Sequence, residues 1–103
     1  MSIRLAIEAF KQLEISDFRI LQAVERGMIT HQYVEIHVIA KYSGFDEEYT
    51  LKRLKRLNSL GLVQRIKRPY IGYILTSRGY DCLAFNALIK RQTLKAITAT
   101  PLE

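Results

Sequence analysis

Val38 to Ile66 reads VIAKYSGFDEEYTLKRLKRLNSLGLVQRI, and the punctuation inside this stretch decides the fold. Ser43-Gly44 is a turn signal closing a short helix over Tyr33 to Tyr42, in which Ile36, Ile39 and Ala40 point inward. Asp46 then caps a second helix. Its first turn carries Glu47 and Glu48, which the positive end of the helix dipole favours, so this acidic run is a helix start rather than a carboxylate pair for acid–base chemistry. Leu51, Leu54 and Leu57 recur at helical spacing and mark its apolar line. Leu60-Gly61-Leu62 ends it, Gly61 supplying the left-handed residue.

Downstream, Val63 to Lys67 alternates in polarity, Arg68-Pro69-Tyr70 makes a turn, and Ile71 to Leu75 is β-prone again, so a two-stranded hairpin with a basic tip is predicted. Thr76 caps a last helix whose apolar stripe is expected to be Tyr80, Leu83, Ala84, Ala87 and Leu88, with the pattern fading beyond Lys90. Upstream, Ser2 to Leu13 spaces Ile3, Ala6, Ile7, Phe10 and Leu13 for an amphipathic helix. A further helix is expected from an N-cap at Ser16, with Ile15 and Ile20 as a hydrophobic staple, Phe18, Leu21, Val24 and Met28 inward, and Gly27 near its end. A tight helix pair followed by a hairpin is the order of a winged helix-turn-helix. The fold class is therefore mainly α with a small β-hairpin (α+β), extended by an N-terminal and a C-terminal helix. The domain is expected over residues 1–91, with 92–103 a linker or the start of a further domain.

The 103 residues suit one core, 49% of them hydrophobic and 25% charged. One cysteine excludes an internal disulfide, and Cys82 with His31 and His37 is too small a set for a Cys/His zinc cluster. Charged residues interrupt every apolar run, so no membrane span and no secretory leader is expected, which places the chain in a reducing, cytoplasmic setting. The net charge of +6 is unevenly spread. Residues 1–51 hold five Lys/Arg against eight Asp/Glu, net −3, while residues 52–103 hold eleven against two, net +9. Such a basic half suits a polyanionic partner.

On the helix after Asp46, the sector opposite the leucines holds Tyr49, Lys52, Arg53, Arg56 and Ser59, with Lys55 at its border. Lys67, Arg68 and Tyr70 sit at the hairpin tip. These nine residues are the candidate nucleic-acid-binding set, the cations for phosphates and the tyrosines for stacking. Lys and Arg alone do not separate RNA from DNA. Cys82 reads as a small core residue, His31 as a loop residue making a local hydrogen bond and His37 as a surface residue; none has the partners of a catalytic group. No phosphate-binding glycine loop or kinase catalytic loop occurs, so no catalytic, metal or cofactor site is expected in these residues.

DFRILQAVERGMITHQYV (Asp17 to Val34) together with YIGYILTSRGYDCLAF (Tyr70 to Phe85) resembles the amino-terminal winged helix of the second subfamily of RIO kinases. The likeness runs from about Ser16 to Arg91, and KRQTLKAI (Lys90 to Ile97) resembles that subfamily's linker into its kinase domain. Glu35 departs from it, standing where relatives carry proline. The resemblance implies a serine/threonine kinase or ATPase using ATP and Mg²⁺, acting on the maturing small ribosomal subunit, with rRNA, that pre-subunit and the parent chain's kinase domain as partners. A monomer is expected, and the resemblance places the catalytic residues beyond Glu103. The alternatives are a stand-alone DNA-binding transcriptional regulator, which would dimerise on two half-sites, and a protein-docking module.

Overall fold

A computed structural model describes residues 3–99, with side chains over 4–92. Five helices and one hairpin follow in the order α1 (Ile3–Lys11), α2 (Ile15–Gly27), α3 (Ile36–Ser43), α4 (Glu47–Ser59), β1 (Val63–Ile66), β2 (Gly72–Leu75) and α5 (Ser77–Ala99). The strands are antiparallel, registered Val63 to Leu75 and Ile66 to Gly72. Ile20, Leu21 and Val24 of α2, Ile39 of α3, Leu54 and Leu57 of α4, and Leu62, Val63, Leu75 and Cys82 form one buried core. The order is that of a winged helix-turn-helix, with α3 and α4 as the helix pair and β1–β2 as the wing.

Several boundaries follow the local chemistry. Gly44 ends α3 at φ 84°, and its N–H donates to the Ala40 carbonyl. Asp46 caps α4 by accepting from the Tyr49 N–H at 2.7 Å, and Gly61 leaves α4 at φ 77°. Thr76 joins two elements, donating from Oγ1 to the Gly61 carbonyl at 2.6 Å and accepting from the Gly79 N–H at 3.1 Å. The start of α5 is thereby fixed to the exit of α4.

Other expectations are corrected. Ser16 is not the cap of α2: the helix starts at Ile15 on Glu14, whose N–H donates to the Asp17 side chain while the Asp17 N–H reaches back to Glu14, a reciprocal capping box. Ile15 is 82% exposed, so it forms no staple. Tyr33 and Val34 do not open α3. The Val34 N–H donates to the Tyr73 carbonyl at 2.9 Å and the Tyr73 N–H donates back to the Val34 carbonyl at 2.8 Å, so these residues extend the edge of the wing sheet.

Two helices are rotated from their expected faces. On α4 Thr50 is fully buried and Leu51 is 37% exposed, so the buried line is Thr50, Leu54 and Leu57. On α5 the inward residues are Gly79, Cys82 and Leu83, while Tyr80, Ala84, Ala87 and Leu88 of the expected stripe are exposed. The inward line lies one residue earlier, about 100° around the helix. Gly79 sets that rotation: a Cβ there would collide with the Leu62 carbonyl oxygen, so the helix lies directly on backbone at the one residue without a side chain. α1 closes the other end of α5, with Ala6 and Ala9 buried, Phe10 and Phe85 edge-on at 6.1 Å, and the Cys82 thiol donating to the Ala6 carbonyl at 3.6 Å. α5 continues without a break past Arg91 to Ala99, so 92–99 is helical backbone. The rest of the 92–103 segment, residues 100–103, lies outside the described residues.

Candidate nucleic-acid interface

α4 presents two flanks of opposite use. On the flank towards α2, Arg53 donates from Nε and Nη2 to both carboxylate oxygens of Asp17, at 2.7 and 2.6 Å. Asp17 is fully buried and the Arg53 side chain only 19% exposed, so the planar fork of the guanidinium meets a carboxylate that would otherwise be left uncompensated in the interior. The hydrogen bond to Asp17 holds the Arg53 proton more tightly than usual, with the Asp17 and Glu14 charges adding to it against the opposing effect of burial. Arg53, one of the nine candidates, is therefore turned largely inward and joins α4 to the first turn of α2. Tyr49 turns the same way, donating to Ser16 Oγ at 3.0 Å and meeting the Phe45 ring edge-on. The exposed Arg56 donates to the Gln12 carbonyl at 3.0 Å, and Ser59 donates back to the Arg56 carbonyl.

The other flank faces the wing. Leu51, Lys55 and Asn58 of α4 and Arg65 and Tyr73 of the wing line a groove of about 370 Å³. It continues into a second hollow of about 430 Å³ lined by Leu51, Arg65, Tyr73, Ile36, His37, Glu35, Tyr70 and Ile71. Lys52 and Lys55 on the helix and Arg65, Lys67 and Arg68 on the wing are all exposed. Among the described residues none of the five is in an ion pair. Arg65 is absent from the nine sequence candidates, although a signal for it exists. Counting in twos from the buried Val63 places Arg65 on the strand face that turns to α4, opposite Tyr73.

The wing tip is tied to the body. The Tyr33 hydroxyl donates to the Arg68 carbonyl, and the Tyr70 hydroxyl donates to the Tyr33 carbonyl at 3.1 Å. Their rings lie 4.6 Å apart at 32°. Burial, and then the neighbouring Tyr70, push the Tyr33 phenol above its ordinary pKa. Tyr70 is therefore partly occupied by Tyr33 and 36% exposed, while the Lys67 and Arg68 side chains are left in solvent. His31 makes its local bond, Nδ1 lying 3.0 Å from the Gly27 carbonyl, and His37 pairs with Glu35 at 3.2 Å on the surface. Cys82 is a core residue, its thiol pushed up to about 11 chiefly by burial.

A helix pair, a wing packed beside its second helix and a cationic groove between them define the class as a winged helix-turn-helix domain. The family described as "Rio2, N-terminal" matches residues 10–91. The chain is 36% identical over 89 residues to the serine/threonine-protein kinase rio2 of Dictyostelium discoideum, covering 86% of this chain and 17% of that one. It is similar to the structure of a Rio2 kinase–ADP/Mg²⁺–phosphoaspartate complex from Chaetomium thermophilum, with a TM-score of 0.74 and 33% identity over 82% of this chain and 26% of that one. A MarR family transcriptional regulator from Silicibacter pomeroyi, at TM-score 0.67, 17% identity, and 88% and 60% coverage, shares the fold alone. The chain belongs to the Rio2 N-terminal family. It spans about a quarter or less of the length of the Rio2 kinases described here.

Proposed function

We propose that this domain is the nucleic-acid-binding module of a RIO-type serine/threonine kinase that acts in maturation of the small ribosomal subunit. Its ligand is structured rRNA, held through phosphates rather than read base by base. The observation that carries this reading is the cluster Lys52, Lys55, Arg65, Lys67 and Arg68: five exposed cations on two adjoining elements, none ion-paired among the described residues. Phosphate neutralisation by such a cluster releases counterions and makes affinity steeply salt-dependent. Ser59 and Tyr70 border the surface, while Tyr49, Arg53 and Arg56 hold α4 in place behind it. In a longer chain the kinase domain would supply the ATP and Mg²⁺ sites, and the wing domain would place it on the cytoplasmic pre-subunit.

Titration of a structured RNA at several salt concentrations tests this. Expected is a slope of log K against log salt of about −3 to −5, as five phosphate contacts imply. Binding that is undetectable at low salt, or indifferent to salt, overturns the reading. A strong preference for one DNA duplex over another, abolished by Lys52→Ala, would move the assignment to a DNA-binding regulator.

A further inference from the structure

We propose, resting on the nucleic-acid reading above, that the hollow between the wing and α3 receives a single unpaired base, so that the domain selects RNA carrying a bulge or extruded nucleotide over continuous duplex. The hollow has two chemically different parts. Its apolar walls are Ile36 of α3, Leu51 of α4 and Ile71 of the wing turn, with the rings of Tyr70 and Tyr73 beside them. Leu51 is 37% and Ile71 50% exposed, so two branched aliphatic side chains stand in water, with Lys55 and Arg65 on one side and Glu35 and the first-turn Glu47 and Glu48 of α4 on the other. A regular helix offers them nothing, because its base faces are stacked away and its outside is sugar and phosphate. An unpaired nucleotide offers both complements at once, flat apolar faces for the walls and phosphates on either side for the cations.

The charges also give the hollow a direction. Arg65 lines the wall shared with the groove that holds Lys55, and Lys67 and Arg68 follow on the wing, so the nucleotide's phosphates belong on that side. Glu35 lines the hollow beside His37, 3.2 Å from it. A carboxylate repels phosphate and accepts from an amino or imino N–H, so the Watson–Crick edge of the base belongs at Glu35. The volume of about 430 Å³ falls within the roughly 300 to 1,000 Å³ of small-ligand sites. An apolar peptide would fit the walls but leave the cationic rim without counter-charge; the unpaired nucleotide satisfies both.

The test compares two RNA hairpins of identical stem, one fully paired and one with a single-nucleotide adenosine bulge, at fixed salt. Expected is about 5-fold to 100-fold tighter binding of the bulged RNA, the range for one base stacked on protein side chains. Ile71→Ser, on an exposed turn, should erase that difference and leave the paired hairpin's affinity and salt slope unchanged. Leu51→Ser should do the same, and a circular-dichroism melt confirms that both variants fold. Lys55→Ala should weaken both RNAs alike. Equal affinity of the wild type for the two hairpins, or a preference that survives Ile71→Ser, overturns the base pocket and leaves the phosphate-binding reading standing. Binding of neither hairpin at low salt overturns both.

Discussion

The two flanks of α4 carry similar side chains and do different things. Arg53 and Arg56 face the α1–α2 corner and are bonded to a carboxylate and a carbonyl, whereas Lys52 is exposed and Lys55 lines the groove it shares with Arg65 of the wing. The difference lies in what the neighbouring element offers. α2 brings a buried carboxylate at its N-terminus, which fixes a guanidinium in a bidentate bond; the wing brings another cation and an apolar floor, which together leave the charges uncompensated for a ligand. A basic helix is therefore not one binding surface, and each cation has to be placed before it is counted.

Breaking the structural flank has the largest expected effect. Arg53→Ala leaves the Asp17 carboxylate buried and unpaired, which should cost about 3 to 5 kcal/mol in a denaturant melt. A loss under about 1 kcal/mol would mean that solvent reaches Asp17. Replacing Asp17 and Arg53 together by apolar residues of similar volume should recover much of the loss, because no charge is then stranded. On α5 the same contrast is drawn between apolar residues. Leu83→Ala should cost about 2 to 4 kcal/mol through a residual cavity, while Leu88→Ala, at 48% exposure, should cost no more than about 0.5 kcal/mol. Equal losses would restore the rotation expected from the periodicity.

The ligand-facing flank gives smaller, salt-dependent effects. Lys55→Ala and Arg65→Ala should each lower the salt slope of RNA binding by about 1 and weaken all sequences alike, with Arg56→Ala changing it less. A larger loss of slope for Arg56 than for Arg65 would reverse the assignment of the flanks. A separate effect is a pH dependence from Cys82. The fold holds this thiol protonated up to about 11, above its ordinary value of 9.0, so its contribution to stability is complete below pH 9 and is lost as pH rises towards 11. Urea melts at pH 8 and 10.5 should show a larger drop for wild type than for Cys82→Ala.

What could be read from the sequence was local. Gly44, Asp46, Gly61 and Thr76 mark their boundaries because a cap or a left-handed residue acts within one turn of chain. Periodicity gave the spacing of apolar residues on α4 and α5 but not the rotation of either helix, since Leu51 and Thr50, or Leu83 and Leu88, satisfy a stripe equally well until a neighbour is in place. The neighbour of α5 is the Leu62 backbone under Gly79, reached only when the hairpin has folded back. Arg53 and Asp17 are 36 positions apart, and no local pattern links them. The neighbours of Tyr33 suit a helix; Tyr73, on a strand of the wing, outweighs that preference with two backbone hydrogen bonds through Val34.

The ties between the wing and the segment before α3 have an entropic consequence. Wings attached by one turn alone must be immobilised when they close on a ligand, at a cost of lost freedom for each ordered side chain and backbone unit. Here the tip is held through the Tyr33 hydroxyl, the Tyr70 hydroxyl and the paired Val34–Tyr73 backbone, so part of the wing's freedom is already restricted before any ligand arrives. Tyr33→Phe removes one of those ties without altering a cation. It should therefore weaken binding through a faster off-rate, with the salt slope unchanged.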